Sequence, residues 1–132
     1  AAPAVQPLKR ALGDSQSEVR KAAALALQRL GPEVASSAVP ALLRGLSDTR
    51  DEVRTSIAEA LGGLGAEHAA RVVPALIERS RDKSPEVRKA AVEAIRQLAA
   101  HDADAAAPVL EKLLEDPNEY VRDMASSTLL LV

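Results

Sequence analysis

The sequence contains no cysteine, tryptophan or phenylalanine, and its single aromatic residue is Tyr120. Without cysteine there can be no disulfide, thiolate nucleophile or cysteine-based metal site. The only histidines are His68 and His101, and neither has a second ligand or base at helical spacing. We therefore predict two surface imidazoles, no enzymatic activity, no catalytic residue, no metal site and no cofactor.

Strong net charge and long apolar runs are also lacking. The 17 basic and 19 acidic residues give a net charge of −2, so no global field would attract nucleic acid or an acidic membrane. No apolar run approaches the roughly 20 residues that cross a bilayer. These absences predict no membrane insertion, and we expect a cytoplasmic location.

What the chain does contain is a short pattern that returns every 34 residues. The four copies are Glu18-Val19-Arg20, Glu52-Val53-Arg54, Glu86-Val87-Arg88 and Tyr120-Val121-Arg122. An aspartate stands four residues before each copy, at Asp14, Asp48, Asp82 and Asp116. A period of this length, held without a slip, indicates a stacked array of four repeats.

Each repeat contains two helical patterns. After the second triplet, one stripe of a helix with about 3.6 residues per turn is formed by Val53, Ile57, Ala60, Leu61 and Leu64. The preceding stretch has its own apolar stripe, and Pro40, Pro74 and Pro108 fall inside this first helix, where a proline would bend the axis. We therefore predict one all-α domain over residues 1–132, with eight antiparallel helices in repeats of about 1–31, 32–65, 66–99 and 100–132.

The ends of the second helices carry their own signals. Capping-box spacing predicts helix starts at Ser15 with Glu18, at Thr49 with Glu52 and at Asp116 with Glu119. In the third repeat, Ser84-Pro85 supplies a cap followed by proline at the first helical position. Gly31 and Gly65 predict the ends of the first two of these helices.

The combined pattern resembles the HEAT repeat. In the second repeat it runs Pro40-Ala41-Leu42-Leu43, then Asp48, Glu52-Val53-Arg54 and Ala60-Leu61. The resemblance covers the whole chain and is closest to the short bacterial variety, the HEAT-like or phycobilisome-lyase-type repeats; Gln6 replaces the proline in the first repeat.

This resemblance implies a right-handed α-solenoid, with the first helices on the convex side and the second helices on the concave side. It also implies that recurring aspartates and arginines form a structural ladder between neighbouring repeats. The ladder residues are Asp14, Arg20, Asp48, Arg54, Asp82, Arg88, Asp116 and Arg122. We interpret these arginines as structural rather than phosphate-binding.

Opposite the core stripe, the second helices carry residues that vary between repeats. This pattern is expected of a fixed scaffold with one specialised surface, although drift of a solvated surface would produce the same variation. The candidate concave binding face comprises Lys21, Leu25, Gln28, Thr55, Glu59, Gly62, Lys89, Glu93, Arg96, Asp123 and Ser127. Small residues at Ala58 and Gly62 would let a partner helix approach closely.

The function that we predict is a non-catalytic scaffold whose concave face binds a protein or peptide. The alternative is an accessory subunit of a chromophore (bilin) lyase or a chaperone-like protein, which only the resemblance implies. A third alternative, an engineered array without a natural ligand, is disfavoured by the imperfect agreement between repeats.

Two further interactions follow from the side chains. Nucleic-acid binding is disfavoured because the densest basic cluster is interleaved with acidic residues and no aromatic is placed to stack a base. That cluster is Arg79, Arg81, Lys83, Arg88, Lys89 and Arg96. The apolar Leu129-Leu130-Leu131-Val132 end either precedes a further repeat or packs on a partner or a second copy, and we expect self-association there if the chain ends at Val132.

Overall fold

The computed structural model describes residues 5–64, 66–101 and 103–131, and these residues contain helices and no strand. The helices are α1 (Val5–Ala11), α2 (Ser17–Leu30), α3 (Pro32–Ala35), α4 (Val39–Gly45), α5 (Asp51–Gly62), α6 (Ala69–Arg79), α7 (Pro85–His101), α8 (Ala103–Leu113) and α9 (Glu119–Leu129). Short 3₁₀ turns cover Ser36–Ala38 and Ala66–His68. The fold is an all-α solenoid of four helical hairpins, as predicted. Gly65 and Val132 lie outside the described residues.

The core is one continuous aliphatic layer between the first and second helices. Its largest fully buried side chains include Leu27, Leu42, Ile57, Leu76 and Ile95. Every residue of the predicted stripe in the second repeat, from Val53 to Leu64, is buried. The stripe of α2 is less well covered, because Val19 and Leu30 are 37% and 48% exposed.

The three prolines do not occupy equivalent places in their helices. Pro74 and Pro108 lie inside α6 and α8, as predicted. Pro40 instead lies in the first turn of α4, just after the 3₁₀ turn that separates α4 from α3. A proline is well tolerated there because the first amides of a helix have no intrahelical acceptor. The prediction that Pro40 lies in the interior of the first helix and bends it is therefore wrong.

The second helices α2 and α5 begin at Ser17 and Asp51, later than the capping boxes predict. In all four repeats the aspartate carboxylate accepts a hydrogen bond from the backbone N–H two residues on, at 2.9 Å. This Asx turn carries the chain past Ser15 and Thr49 before the helix starts. Residues 16 and 50 precede the helices without a side-chain capping bond.

The other helix boundaries follow the sequence more closely. Helix α7 begins at Pro85, as predicted, and Gly31 ends α2 with a φ of 95°. Helix α9 begins at Glu119, where the Asn118 side chain accepts a hydrogen bond from the Val121 amide at 3.2 Å. Its cap is therefore Asn118 rather than Asp116. No helix among the described residues is long and apolar enough to cross a membrane.

Candidate binding surface

The second helices α2, α5 and α7 lie side by side and contact each other much more extensively than the first helices do. The outward faces of these second helices form one exposed surface, and this surface contains two adjoining depressions.

The first depression lies between α5 and α7 and has a volume of about 390 Å³. The buried Ala90 and Ala94 line it. The remaining lining residues are polar or charged, namely Gln28, Thr55, Glu59, Glu86, Lys89, Glu93 and Gln97. Small apolar residues surrounded by long polar side chains can accept a segment of extended or helical polypeptide.

The second depression lies between α7 and α9 and has a volume of about 400 Å³. It is lined by Lys89, Val92, Glu93, Arg96, Tyr120, Asp123, Met124 and Ser127. Lys89 and Glu93 line both depressions, so the two adjoin along α7, and together they are called the groove.

The groove contains eight of the eleven residues predicted for the binding face. Gln28, Thr55 and Glu59 line the first depression, Arg96, Asp123 and Ser127 line the second, and Lys89 and Glu93 line both. Lys21 and Leu25 are half-buried and line neither depression.

The structure corrects the expectation for Ala58 and Gly62. Both are buried, and a Cβ atom at residue 62 would stand 2.9 Å from the Cα atom of Ala94 in α7. These small residues therefore let α7 approach α5 and are not open to a partner helix.

Sequence reasoning missed several residues of the groove. Glu86, Ala90, Gln97, Val92, Tyr120 and Met124 line it without having been predicted. They lie at the side of each second helix, where the exposed face meets the next helix. Only Tyr120, the single aromatic residue, and Met124, the single methionine, carried a signal in composition that could have identified them.

The groove carries an excess of negative charge. Its lining residues include four carboxylates (Glu59, Glu86, Glu93 and Asp123) and two cations (Lys89 and Arg96). Among the described residues, no ion pair involves Glu59, Glu93 or Asp123. The Arg96 guanidinium donates to the hydroxyls of Ser127 at 2.7 Å and Thr128 at 3.4 Å.

Behind the groove, arginines and aspartates join successive repeats. Arg20 donates to Asp48 through Nε at 2.6 Å and Nη2 at 3.0 Å. Arg54 donates to Asp82 through the same two nitrogens, both at 3.0 Å. Such paired charge-assisted bonds hold both position and orientation, and the Arg54–Asp82 pair is buried.

Each arginine of the ladder also donates through Nη1 to the backbone carbonyl of the aspartate in its own repeat. The acceptors are Asp14, Asp48, Asp82 and Asp116, at 2.7–2.8 Å. A single guanidinium thus fixes the loop at the start of its own helix while its other nitrogens can reach the next repeat.

Each arginine–aspartate link between neighbouring repeats is one rung of the ladder, and the third rung, predicted between Arg88 and Asp116, differs from the expectation. Arg88 makes no hydrogen bond to Asp116 among the described residues, and Arg81 pairs with Asp116 instead. The Arg88 guanidinium carbon lies 5.9 Å from the centre of the Tyr120 ring, a cation–π distance. Arg122 donates only to the carbonyls of Asp116 and Pro117.

Hydrogen bonds lower the pKa values of three ladder aspartates, Asp48, Asp82 and Asp116. Burial tends to raise the pKa of Asp48 and Asp82, but the guanidinium bonds and the backbone amides of Arg50 and Ser84 outweigh it and hold each pKa below its usual value. For Asp116, the amide of Asn118 is the main cause of a lowered pKa. These aspartates are therefore charged near neutral pH.

The described residues offer little for catalysis or phosphate binding. They contain no group of three or more His, Asp or Glu side chains that could hold a metal ion. His101 is exposed and His68 is half-buried, with its Nε2 atom 3.3 Å from Glu67. Within the basic cluster, Arg79 and Arg81 are engaged by Asp82 and Asp116.

The profile of a family described as HEAT repeats matches residues 2–62 and 39–129. Comparison with curated proteins gives no match. Three similar solved structures are an archaeal HEAT-like repeats protein, a designed armadillo repeat protein and a lyase complex. The archaeal protein, from Thermococcus onnurineus NA1, has a TM-score of 0.73 and 17% identity, over 97% of this chain and 54% of that one.

The designed armadillo repeat protein, solved in complex with the peptide (KR)4, has a TM-score of 0.66 and 28% identity, over 96% of this chain and 63% of that one. The complex of CpcE and CpcF of phycocyanin lyase from Nostoc sp. PCC7120 has a TM-score of 0.66 and 22% identity, over 100% of this chain and 67% of that one. The chain thus spans less than two thirds of the length of the archaeal and designed structures. HEAT and armadillo repeat folds are generally non-catalytic scaffolds.

Proposed function

Because this chain belongs to the HEAT-repeat family, we propose that it is a non-catalytic scaffold that binds a protein or peptide in the groove formed by its second helices. The observation that carries the proposal is the groove itself. It comprises the adjoining depressions between α5 and α7 and between α7 and α9, and its charged side chains are directed away from the core.

Two other observations support a polypeptide as the partner. The designed armadillo repeat protein of similar fold was solved with a peptide. The groove also combines small apolar lining residues with amide, hydroxyl and carboxylate groups, which can satisfy the polar backbone of a bound segment. We propose that residues 1–132 perform this function as a single domain. The cytoplasmic location stays a prediction.

The proposal can be tested with peptides selected from a random phage-displayed library against the 132-residue chain. The affinity of each selected peptide is then measured for the wild-type chain, for Glu59→Lys in the groove and for Glu111→Lys on α8. Both glutamates are exposed, so the two variants make the same change in charge at different surfaces. We expect Glu59→Lys to change affinity about tenfold, as at a charged interface position, and Glu111→Lys to leave it unchanged.

Equal effects of the two variants, or none, would place the binding site elsewhere. Such a result for every selected peptide would end the proposal.

Solution mass at increasing concentration separately tests self-association through the Leu129–Val132 end, where Leu130 and Leu131 are 86% and 73% exposed.

The second candidate function is an accessory subunit of a bilin lyase. The likeness to the phycocyanin lyase complex, at 22% identity, is a likeness of fold. Titration of the chain with phycocyanobilin, followed by absorbance, separates the two candidates. A saturable spectral change that Glu59→Lys alters would favour the lyase role, and an unaltered spectrum would favour the scaffold.

Nucleic acid is the least favoured partner, because carboxylates outnumber cations in the groove and phosphate binding depends on an excess of Lys and Arg.

A further inference from the structure

The depression between α7 and α9 contains the only tyrosine and the only methionine of the chain, Tyr120 and Met124. Arg96 lines the same depression. Tyrosine, methionine and arginine are enriched at protein interfaces, and tyrosine and arginine dominate binding hot spots. No comparable set lines the depression between α5 and α7, where alanine, glutamine and glutamate prevail.

This depression exists because α9 stands farther from α7 than α7 stands from α5. Gly62 lets α5 approach Ala94 closely. One repeat later the equivalent pair is Arg96 and Thr128, and the Arg96 side chain fills the space with its bonds to Ser127 and Thr128. The position of Gly62 is thus held by a long side chain one repeat later, and α7 and α9 contact each other over far fewer residues than α5 and α7 do.

The altered ladder fixes the aromatic ring at the edge of this depression. Tyr120 replaces the glutamate of the other three repeats, and the Arg88 guanidinium lies over its ring. The ring nevertheless remains 41% exposed. Because the Arg88 guanidinium already holds the ring in place, Tyr120 presents the rest of its apolar surface to an incoming side chain.

The interior and the rim of the depression have different chemistry. Val92 and Met124 are buried residues that line its interior. Glu93 and Asp123 are exposed on opposite walls. Two cations, Lys89 and Arg96, line the depression together with these two carboxylates. Lys89 lies four residues from Glu93 on α7, a spacing at which the two charges attract, and Arg96 donates to the hydroxyls of Ser127 and Thr128. Among the described residues, no ion pair involves Asp123. The rim thus favours a basic group near Asp123.

We infer that this depression is the anchoring site of the partner and receives one bulky apolar side chain of a polypeptide, whose neighbouring Arg or Lys pairs with Asp123. The inference rests on the proposed function and adds the chemistry of the bound segment. The depression has a volume of about 400 Å³, which lies within the range of pockets that bind small ligands.

Three fluorescein-labelled peptides of equal length test the inference by fluorescence anisotropy with the 132-residue chain. The first places Arg-Leu-Arg in a Gly/Ser background, the second replaces Leu by Ala, and the third replaces both Arg by Glu. We expect the first to bind at least about tenfold more tightly than the other two, because each change removes one class of contact at a hot spot.

Variants of the chain locate that binding. Tyr120→Ala should weaken the first peptide about tenfold, while Leu114→Ala should leave it unchanged. Leu114 is a matched control because it is 40% exposed, close to the 41% of Tyr120, and lines neither depression. The variant Asp123→Asn should remove the preference for Arg over Glu.

The inference is overturned if the Ala peptide binds as well as the Leu peptide, if the Glu peptide binds equally, or if Tyr120→Ala and Leu114→Ala act alike. The proposed function fails separately. If library-selected peptides respond to Glu59→Lys but not to Tyr120→Ala, the groove binds polypeptide and only the anchoring site is wrong. If neither variant affects them, both proposals fail.

Discussion

Arg54 performs three tasks with one side chain. Its guanidinium holds the carbonyl of Asp48 in its own repeat and both carboxylate oxygens of Asp82 in the next. The Asp82 carboxylate in turn accepts the Ser84 amide and lies 3.3 Å from Arg79. Loop geometry, helix start and repeat stacking thus depend on the same few atoms.

Replacing Arg54 by alanine should lower the free energy of unfolding by about 3 kcal/mol. Removing one member of a buried pair costs about 3–5 kcal/mol, and Arg79 remains to compensate part of the Asp82 charge. Urea denaturation followed by circular dichroism measures the change. Arg122→Ala, which removes bonds to the carbonyls of its own loop only, should cost about 1 kcal/mol. Equal losses would show that bonding between repeats adds nothing.

The same aspartates predict how stability depends on pH. Asp48 and Asp82 have lower pKa values in the folded chain than their usual value of about 3.9. Their contribution to stability is therefore complete above about pH 5 and decreases as the pH falls below about 4 through the folded pKa values. Urea midpoints at successive pH values from 7 to 3 measure this loss.

A double variant provides the control for the pH experiment. Asp48→Asn with Asp82→Asn should be less stable at pH 7 but should lose less stability between pH 5 and pH 3 than the wild type. Glu111→Gln, at an exposed carboxyl, should keep the wild-type profile. The interpretation is wrong if the double variant loses as much stability as the wild type over this range.

At the scale of the helix, the close approach of α5 and α7 depends on Gly62. A Cβ atom there would stand 2.9 Å from both Cα and Cβ of Ala94, so the two helices would have to separate. Overpacking of this kind costs about 1–3 kcal/mol, which outweighs the gain of up to about 1 kcal/mol from a better helix former. The neighbouring Gly63 has no such constraint, since a Cβ atom there would meet only the Ala60 carbonyl at 3.7 Å.

Gly62→Ala should therefore destabilise the chain by about 1 kcal/mol, whereas Gly63→Ala should change the unfolding free energy by less than about 0.5 kcal/mol. Thermal and urea unfolding of both variants under identical conditions measure the difference. Equal stability of the two variants would mean that the helices can separate at no cost, and the account of their contact would be wrong.

The elements also show what a single sequence can and cannot predict. The buried stripe from Val53 to Leu64 follows from periodicity alone, because burial of one helix face imposes the 3.6-residue spacing. The capping boxes at Ser15 and Thr49 did not predict the starts of α2 and α5 correctly. The carboxylates of Asp14 and Asp48 accept hydrogen bonds from the backbone N–H groups two residues on, and the helices begin after Ser15 and Thr49. A short-range pattern cannot decide between two side chains that compete for the same amides.

The candidate surface was also predictable only in part, because the pattern within one helix does not show how the neighbouring helix packs against it. Helical spacing places Glu59 and Glu93 on the exposed face, where the structure also has them. It cannot distinguish Gly62 from these residues, because whether Gly62 is open depends on how closely the next helix approaches. Likewise, Arg88 and Asp116 keep the spacing of a ladder rung, yet Tyr120 and Arg81 determine their actual partners.

At the scale of the whole molecule, stability in a repeat array is the sum of each unit and its junctions with its neighbours. The first two junctions combine long contacts between second helices with a two-bond Arg–Asp rung. At the third junction, Arg96 stands at the position of Gly62 and donates to Ser127, and α7 and α9 make little contact. The Arg81–Asp116 pair takes the place of the two-bond Arg–Asp rung. Cooperativity between repeats should therefore be weakest between the third and fourth hairpins.

Amide hydrogen exchange followed by mass spectrometry should accordingly show α9 exchanging faster than α2. Both helices belong to outer hairpins, so position in the array alone predicts equal protection. We expect α9 to open more often because only α2 keeps a two-bond rung and extensive contact with its neighbour, and local openings follow the weakest junction. Arg20→Ala supplies the internal control, since loss of that rung should bring α2 closer to the rate of α9. If α2 and α9 exchange equally in the wild type, the third junction is as strong as the first and this ordering is wrong.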